Sequence, residues 1–292
     1  MFAGVLTPFT ARDGENLALY HWQAEQSSRQ SGCQDAPARG VVLIVHGLGE
    51  HAGRYDHVAN SLSNWGFEVS AYDQRGHGES AGVPGTLPSS NALLDDLAEV
   101  LDGVRQQHPK LPLILFGHSL GGLVASRFVA LGMGQVDALV LSSPAFDAGL
   151  GALQKLLLKV LPAIAPNLRV GNGLDANYLS HDPQVVKDYL SDRLVHHKIS
   201  PRLGQFIATA GPATIAAAAN WRTPTLLMYA GADQLVNPEG SRRFAKLATE
   251  SATVKPGTVT AKCFDGYYHE LFNELEPAPV FEMLKTWLDA RF

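Results

Sequence analysis

Leu113-Ile114-Leu115-Phe116-Gly117-His118-Ser119-Leu120-Gly121-Gly122-Leu123 is the stretch on which the fold turns. Its first four residues are a short apolar run of the kind buried on both faces of a parallel sheet. From Leu123 to Leu131 the pattern becomes helical. Between the two lies Gly-x-Ser-x-Gly, at Gly117, Ser119 and Gly121. With 28 glycines in 292 residues, roughly one random sequence in six of this composition would contain that pattern, so it proves little by itself. Its setting is what carries weight. A serine lifted clear of a sheet sits on a strained strand-to-helix turn, and glycines on both sides make room for that turn. Ser119 is therefore the candidate nucleophile.

Outward from this turn, strands and helices alternate. Val41 to Val45 is a continuous β-branched run, Arg54 to Asn64 has helical spacing, and Phe67 to Tyr72 returns as a strand ending at Asp73. Asn91 to Gln107 repeats the helical period, and Ala138 to Leu141, Thr225 to Tyr229 and Val259 to Phe264 read as further strands. Such alternation predicts an α/β fold, a mostly parallel central sheet with helices on both faces and a site at the carboxyl ends of the strands. The strand signal stops between Phe146 and Trp221. That gap divides the chain into a core of residues 1–145 and 222–292 and a helical cap insertion over 146–221. Gln26 to Ala38 reads as a polar loop and Gly82 to Pro88 as a surface connection.

A serine hydroxyl is a poor nucleophile at neutral pH and needs a base, itself held in the right tautomer by a carboxylate. In folds with this elbow the order along the chain is Ser, then Asp or Glu, then His, each after a strand. Asp233 follows the strand Thr225 to Tyr229, and His269 follows the last strand, so these two complete the candidate set. An isolated aspartate in a turn would be read as an Asx turn; order and spacing favour the catalytic role here. The tetrahedral intermediate develops negative charge on oxygen, which two fixed backbone N–H groups stabilise. Leu120, next after the nucleophile, supplies one. The turn His46-Gly47-Leu48-Gly49 aims the Leu48 N–H at the same point. Of the eleven histidines, His21, His57 and His108 read as packing or surface residues, while His181, His196 and His197 fall in the cap. No HExxH is present and no carboxylate or cysteine stands at ligand spacing around His196-His197, so no metal is assigned.

Composition bounds the remaining classes. Hydrophobic residues make up 46% and charged residues 17% of the chain, enough apolar material for a core and too little charge for disorder. A net charge of -5 leaves no basic face, which excludes nucleic acid as a partner. Cys33 and Cys263 form no framework and read as free thiols. No secretory leader and no apolar stretch of membrane-spanning length occurs, so a soluble cytoplasmic protein is expected.

Four segments together resemble the monoacylglycerol lipase and lysophospholipase group of α/β hydrolases. They are His46 to Tyr55 (HGLGEHAGRY), Asp73 to Ser80 (DQRGHGES), Gly117 to Gly122 (GHSLGG), and the turns carrying Asp233 and His269. The first is far more selective than the elbow; the second offers no base at the right position and reads as structural. The resemblance implies the α/β-hydrolase fold and hydrolysis of a small-molecule, lipid-like ester through an acyl-enzyme, without cofactor, beneath a hydrophobic cap. It also places Tyr189 near a polar pocket for the alcohol. Independently, Leu153, Leu156, Leu157, Val160, Leu161 and Ile164 share one helical face in the cap. That face has two readings: packing onto the domain, or a lid that takes up lipid and makes peripheral membrane contact. On the second, Leu156 and Leu157 are substrate-binding candidates. Serine at position 119 excludes dehalogenase and epoxide hydrolase chemistry, which needs a carboxylate there. A carboxylesterase for small soluble esters, a serine peptidase and a cofactor-free perhydrolase would keep the same triad. A ligand-binding protein that retained the fold without turnover stays open as well.

Overall fold

The structure, a computed structural model, describes residues 4–25 and 38–292. Cys33 and the polar stretch 26–37 lie outside the described residues. The strands are β1 (Val5–Thr10), β2 (Asn16–Trp22), β3 (Gly40–Val45), β4 (Phe67–Tyr72), β5 (Leu113–His118), β6 (Ala138–Ser142), β7 (Val170–Gly171), β8 (Lys198–Ile199), β9 (Thr225–Ala230) and β10 (Val259–Phe264). Eight of them form one sheet in the order β1-β2-β4-β3-β5-β6-β9-β10, and β7 pairs with β8 in a separate ribbon. From β4 to β10 every pairing is parallel; β2 joins β4 and β1 joins β2 antiparallel.

The apolar runs are continuous because both faces of these strands are covered. Val41, Leu43, Val45, Leu113 and Leu115 enter one core, with Leu97 and Val100 of α2 (Ala92–Gln107), Leu123 and Phe128 of α3 (Ser119–Leu131) and Phe244 of α7 (Glu239–Glu250). The residues between them, Val42, Ile44, Ile114 and Phe116, enter the opposite core, with Val58 and Leu62 of α1 (Asp56–Asn64) and Leu284 and Trp287 of α8 (Ala278–Asp289). Alternate residues of one strand thus feed two cores, each large side chain contributing about 1.5 to 3 kcal/mol relative to exposure.

The chain passes from β3 to β4 on one side and then crosses to β5 on the other. The carboxyl ends of β3 and β5 therefore lie side by side at the switch point of the sheet, where α/β folds place their ligand. This sets the turn after Val45 next to Ser119.

Between β6 and β9 come α4 (Ala152–Ile164), α5 (Pro183–Ser191) and α6 (Pro201–Ala217), with the β7–β8 ribbon among them. The ribbon is a departure from the purely helical insertion expected; two residues per strand are too few to show a period. Helix α6 packs on α3, α7 and α4. The apolar face of α4 is open: Leu153 is 69%, Leu156 57%, Leu157 45% and Ile164 74% exposed. Of the two readings of that face, packing onto the domain does not describe it. Among the described residues no helix is long and apolar enough to cross a membrane.

Three further differences from the sequence reading have plain causes. The β1–β2 hairpin was not expected, because Val5–Thr10 is an almost wholly exposed edge strand carrying Pro8 and shows no inward alternation. The helix expected from Arg54 starts as a single 3-10 turn over Ala52–Tyr55 and becomes α-helical at Asp56. Helix α3 opens at Ser119 itself rather than at Leu123, so the nucleophile candidate is the first residue of the helix.

Candidate active site

Strand β5 delivers His118 in extended conformation, and the next residue, Ser119, has φ of 51°. A left-handed serine is strained backbone, held here by what surrounds it. Gly121 and Gly117 allow the turn. A Cβ on Gly121 would strike the carbonyl oxygens of Val45 and His46, and one on Gly117 would lie 2.6 Å from the Gly121 oxygen. The glycines of the elbow are thus required by the closeness of the β3 end to the start of α3.

His269 Nδ1 lies 2.7 Å from Asp233 Oδ2, both side chains buried. Asp233 Oδ1 accepts the Leu235 N–H at 2.9 Å and the Val236 N–H at 3.0 Å. The Asx turn and the partnership with His269 therefore coexist, one oxygen for each. Burial would raise the Asp233 pKa, but His269 and the two N–H donors outweigh it and hold the carboxyl below its usual range. Burial would likewise lower His269; the Asp233 carboxylate overcomes this and holds the imidazole above its ordinary value. Next to it, burial and then the His269 ring, 4.8 Å away, push His118 down to about 4. At neutral pH His118 is uncharged.

Ser119 and His269 open into one cleft. Its lining is polar at Glu50, His118, Tyr189 and Glu270 and apolar at Leu48, Leu174, Ala176, Leu179, Leu235 and Val236. Of the expected oxyanion donors, Leu48 lines the cleft with Ser119, and Leu120 is the second residue of α3, whose first-turn N–H groups have no partner within the helix. Leu156 and Leu157 are not among the residues lining the cleft, whereas Tyr189 is.

Sequence reading passed over the charged part of this lining. Glu50 Oε1 accepts the Gly47 N–H at 2.5 Å and the Tyr55 O–H at 2.7 Å. Its other oxygen pairs with Arg54 at 2.7 Å, and Arg54 reaches across to Glu270 with two contacts of 2.5 and 2.8 Å. Arg54 also stands over the Tyr189 ring, 5.0 Å from its centroid, which fixes that cap residue in the site. The only local signal was the spacing of Glu50, Arg54 and Tyr55; Glu270, 216 residues further on, carried none. The cap is fastened to the same loops: the His196 N–H donates to Gly49 O at 2.9 Å, the Glu270 N–H to Leu179 O at 2.8 Å, and His51 meets Asp192 at 2.8 Å.

The second motif supports this turn from below. Asp73 accepts the Ala52 N–H at 2.7 Å, the Glu79 N–H at 2.8 Å and the Tyr20 O–H at 3.1 Å, while Arg75 pairs with buried Asp96. Of the histidines read as packing residues, His57 reaches Phe272 O at 3.3 Å and His21 meets Ser70 at 3.0 Å. Cys263 is unpaired and lies 3.1 Å from Asp265. Among the described residues no group of His, Cys, Asp and Glu is arranged to hold a metal ion.

Comparison with known proteins agrees with this architecture. Residues 36–276 match the model of the Hydrolase_4 family, described as serine aminopeptidase, S33. A monoacylglycerol lipase of Mycolicibacterium smegmatis is 36% identical over 258 residues, covering 87% of this chain and 89% of that one. The human monoglyceride lipase is 30% identical over 285 residues, covering 96% of this chain and 88% of its own length. The crystal structure of Paleococcus ferrophilus monoacylglycerol lipase superposes with a TM-score of 0.80 at 33% identity, covering 94% of this chain and 98% of that one.

Proposed function

The chain belongs to the Hydrolase_4 family of α/β hydrolases, and on that premise we propose that it cleaves single-chain lipid esters, monoacylglycerols or lysophospholipids, through an acyl-enzyme on Ser119. The observation that carries this reading is the mixed lining of the cleft that holds Ser119 and His269, with Leu174, Leu179, Leu235 and Val236 to suit one acyl chain and Glu50, Tyr189 and Glu270 to suit an alcohol head. In it the Ser119 hydroxyl gives its proton to His269 as Oγ attacks the ester carbonyl. Asp233 holds the imidazole in the tautomer that can accept that proton and stabilises the imidazolium. The Leu48 and Leu120 N–H groups receive the oxyanion. His269 then returns the proton to the leaving alcohol, and water repeats the sequence on the acyl-enzyme.

We place the protein in the cytoplasm, meeting lipid surfaces through the exposed apolar face of α4. The test is a substrate panel: monoacylglycerols, lysophospholipids, short p-nitrophenyl esters and aminoacyl amides, with fluorophosphonate labelling of Ser119 alongside. Labelling with preference for medium or long acyl chains is expected. A preference for acetate or propionate esters would overturn the lipid reading while leaving the serine hydrolase, and absence of labelling with no turnover would favour a binding protein.

A further inference from the structure

Three charged side chains are sealed together at the polar part of the cleft lining. Arg54 pairs with Glu50 at 2.7 Å and holds Glu270 through both carboxylate oxygens, at 2.5 and 2.8 Å. Glu50 and Glu270 are 4% and 5% exposed. Asn273 adds an amide donor to Glu270 at 2.8 Å, but among the described residues no second cation pairs with either carboxylate. For both carboxyls burial would favour the neutral form; Arg54, joined at Glu50 by the Tyr55 O–H and the Gly47 N–H, leads the interactions that outweigh it and hold both below the usual carboxylate range. Two carboxylates against one guanidinium leave one negative charge uncompensated inside the protein.

Tying the turn after β3 to the loop after β10 would not require that surplus. A single ion pair, or a neutral hydrogen-bonded network, would make the same connection without the desolvation cost of an extra charge. The surplus lies where an opposite charge forms in the reaction. Glu270 is the chain neighbour of His269, and both carboxylates line the cleft with it. The ionisable groups facing His269 include Asp233, His118, Glu270 and Glu50; those facing Glu270 include His269, Arg54, Glu50, His118, His57, Tyr55 and Tyr189, and burial keeps both tyrosines in their neutral form. His118 and His57 are both shifted towards their neutral forms by burial, so neither cancels the surplus.

We propose that Glu270 is a positioning residue for His269 that acts through its charge, the surplus it brings to the Glu50 and Arg54 pair favouring the imidazolium formed during turnover. This rests on the reading of His269 as general base. When the bond from Ser119 Oγ to the carbonyl carbon forms, the carbonyl electron pair moves onto oxygen and the hydroxyl proton passes to His269; it leaves again on the departing alcohol. Glu270 takes up no proton at any step. It acts through its field on the imidazole, adding to what Asp233 does directly.

The test is the pH profile of kcat/KM from about pH 5 to about pH 9 on a soluble ester, for wild type, Glu270→Gln, Glu50→Gln and Asp233→Asn. Glutamine keeps the size of the side chain and an oxygen for Arg54. A unit charge at about 10 Å in an effective dielectric near 20 is equivalent to roughly one pH unit. Glu270→Gln is therefore expected to move the acid limb down by about half to one unit. With a Brønsted slope near one half, the plateau kcat should fall about two- to threefold while KM changes by less than about twofold. Glu50→Gln should move the limb in the same direction. A lower kcat with an unmoved limb in Glu270→Gln would overturn the proposal, and if that variant does not fold, an unmoved limb in Glu50→Gln does so equally. Asp233→Asn must move the same limb; if it does not, His269 is not the base, and the general-base reading falls with the inference.

Discussion

Replacing Asp233 by asparagine tests the arrangement most sharply, because the structure fixes which way the amide must point. Asp233 Oδ1 already accepts N–H groups from Leu235 and Val236, and only an oxygen can take that place. The asparagine NH2 group is therefore forced onto the position 2.7 Å from His269 Nδ1. An N–H donor there requires Nδ1 to be the acceptor, which moves the imidazole proton to Nε2, the nitrogen that should receive the proton of Ser119. The variant loses the charge and gains the wrong tautomer together, and the amide cannot flip without breaking two hydrogen bonds. In a triad of this kind the combined effect is about 10⁴-fold in kcat, or about 5.4 kcal/mol of transition-state stabilisation.

The same substitution has a signed effect on stability. His269, raised in the fold, contributes stability that is fully present below its unfolded pKa near 6.5 and is lost as pH rises through its higher folded value. Asp233, depressed in the fold, contributes above its unfolded pKa of about 4, a contribution lost as pH falls through its lower folded value. The loss in Tm should therefore be largest between about pH 4 and about pH 6.5 and smaller near pH 9. Steady-state hydrolysis of a p-nitrophenyl ester gives kcat, and thermal melts across pH give the second curve. Asp265, which lies near Cys263, is the control. A loss in kcat below about tenfold for Asp233→Asn, or a greater loss for Asp265→Asn, would refute the assignment of the acid.

Ser119→Ala should abolish fluorophosphonate labelling and nearly all turnover with an unchanged far-UV spectrum, since the hydroxyl makes the covalent bond and little of the packing; near wild-type hydrolysis would remove Ser119 from the site. Gly121→Ala should cost both folding yield and activity, because its Cβ would strike the carbonyl oxygens of Val45 and His46 at the junction of β3 and α3; a soluble variant with wild-type Tm would contradict that close approach. Leu156→Ser combined with Leu157→Ser should reduce binding to phospholipid vesicles and hydrolysis of vesicle-borne monoacylglycerol, yet leave a soluble acetyl ester untouched, since neither residue lines the cleft. Equal loss on both substrates would show that the α4 face serves the fold instead of a lipid surface.

The fold was legible wherever one residue type had to satisfy both a local and a global demand. Val41 to Val45 and Leu113 to Phe116 are apolar without alternation because their strands are covered on both faces, and that pattern survives in the sequence unaided. The elbow was legible for a similar reason: Gly117 and Gly121 are required by contacts of the backbone itself. The meeting of His269 with Asp233, in the cleft that also holds Ser119, was legible because the order of the three residues follows the order of the strands that carry them. Edge structure was not legible. Strand β1 pairs on one side only and faces solvent, so Pro8 and exposed residues are tolerated and no period develops.

The charged lining escaped for a deeper reason. Glu50, Arg54 and Glu270 find their partners in one another, so none imposes a pattern on its own neighbourhood, and a single chain offers nothing to join position 54 to position 270. Yet this is what turns a generic elbow into a particular site. Glu50 fixes the Gly47 N–H and with it the turn that presents Leu48, Arg54 holds the Tyr189 ring, and Glu270 adjoins His269. The segment between β6 and β9, the turn after β3 and the loop after β10 are consequently not independent parts. The Glu270 N–H is bound by Leu179 O, and Gly49 O by the N–H of His196, so a displacement of the segment carrying Leu179 and His196 must pull on both loops. Helix α4 carries neither attachment, so on the proposed reading its exposed face could meet a lipid surface without disturbing the contacts that hold Gly49 and Glu270.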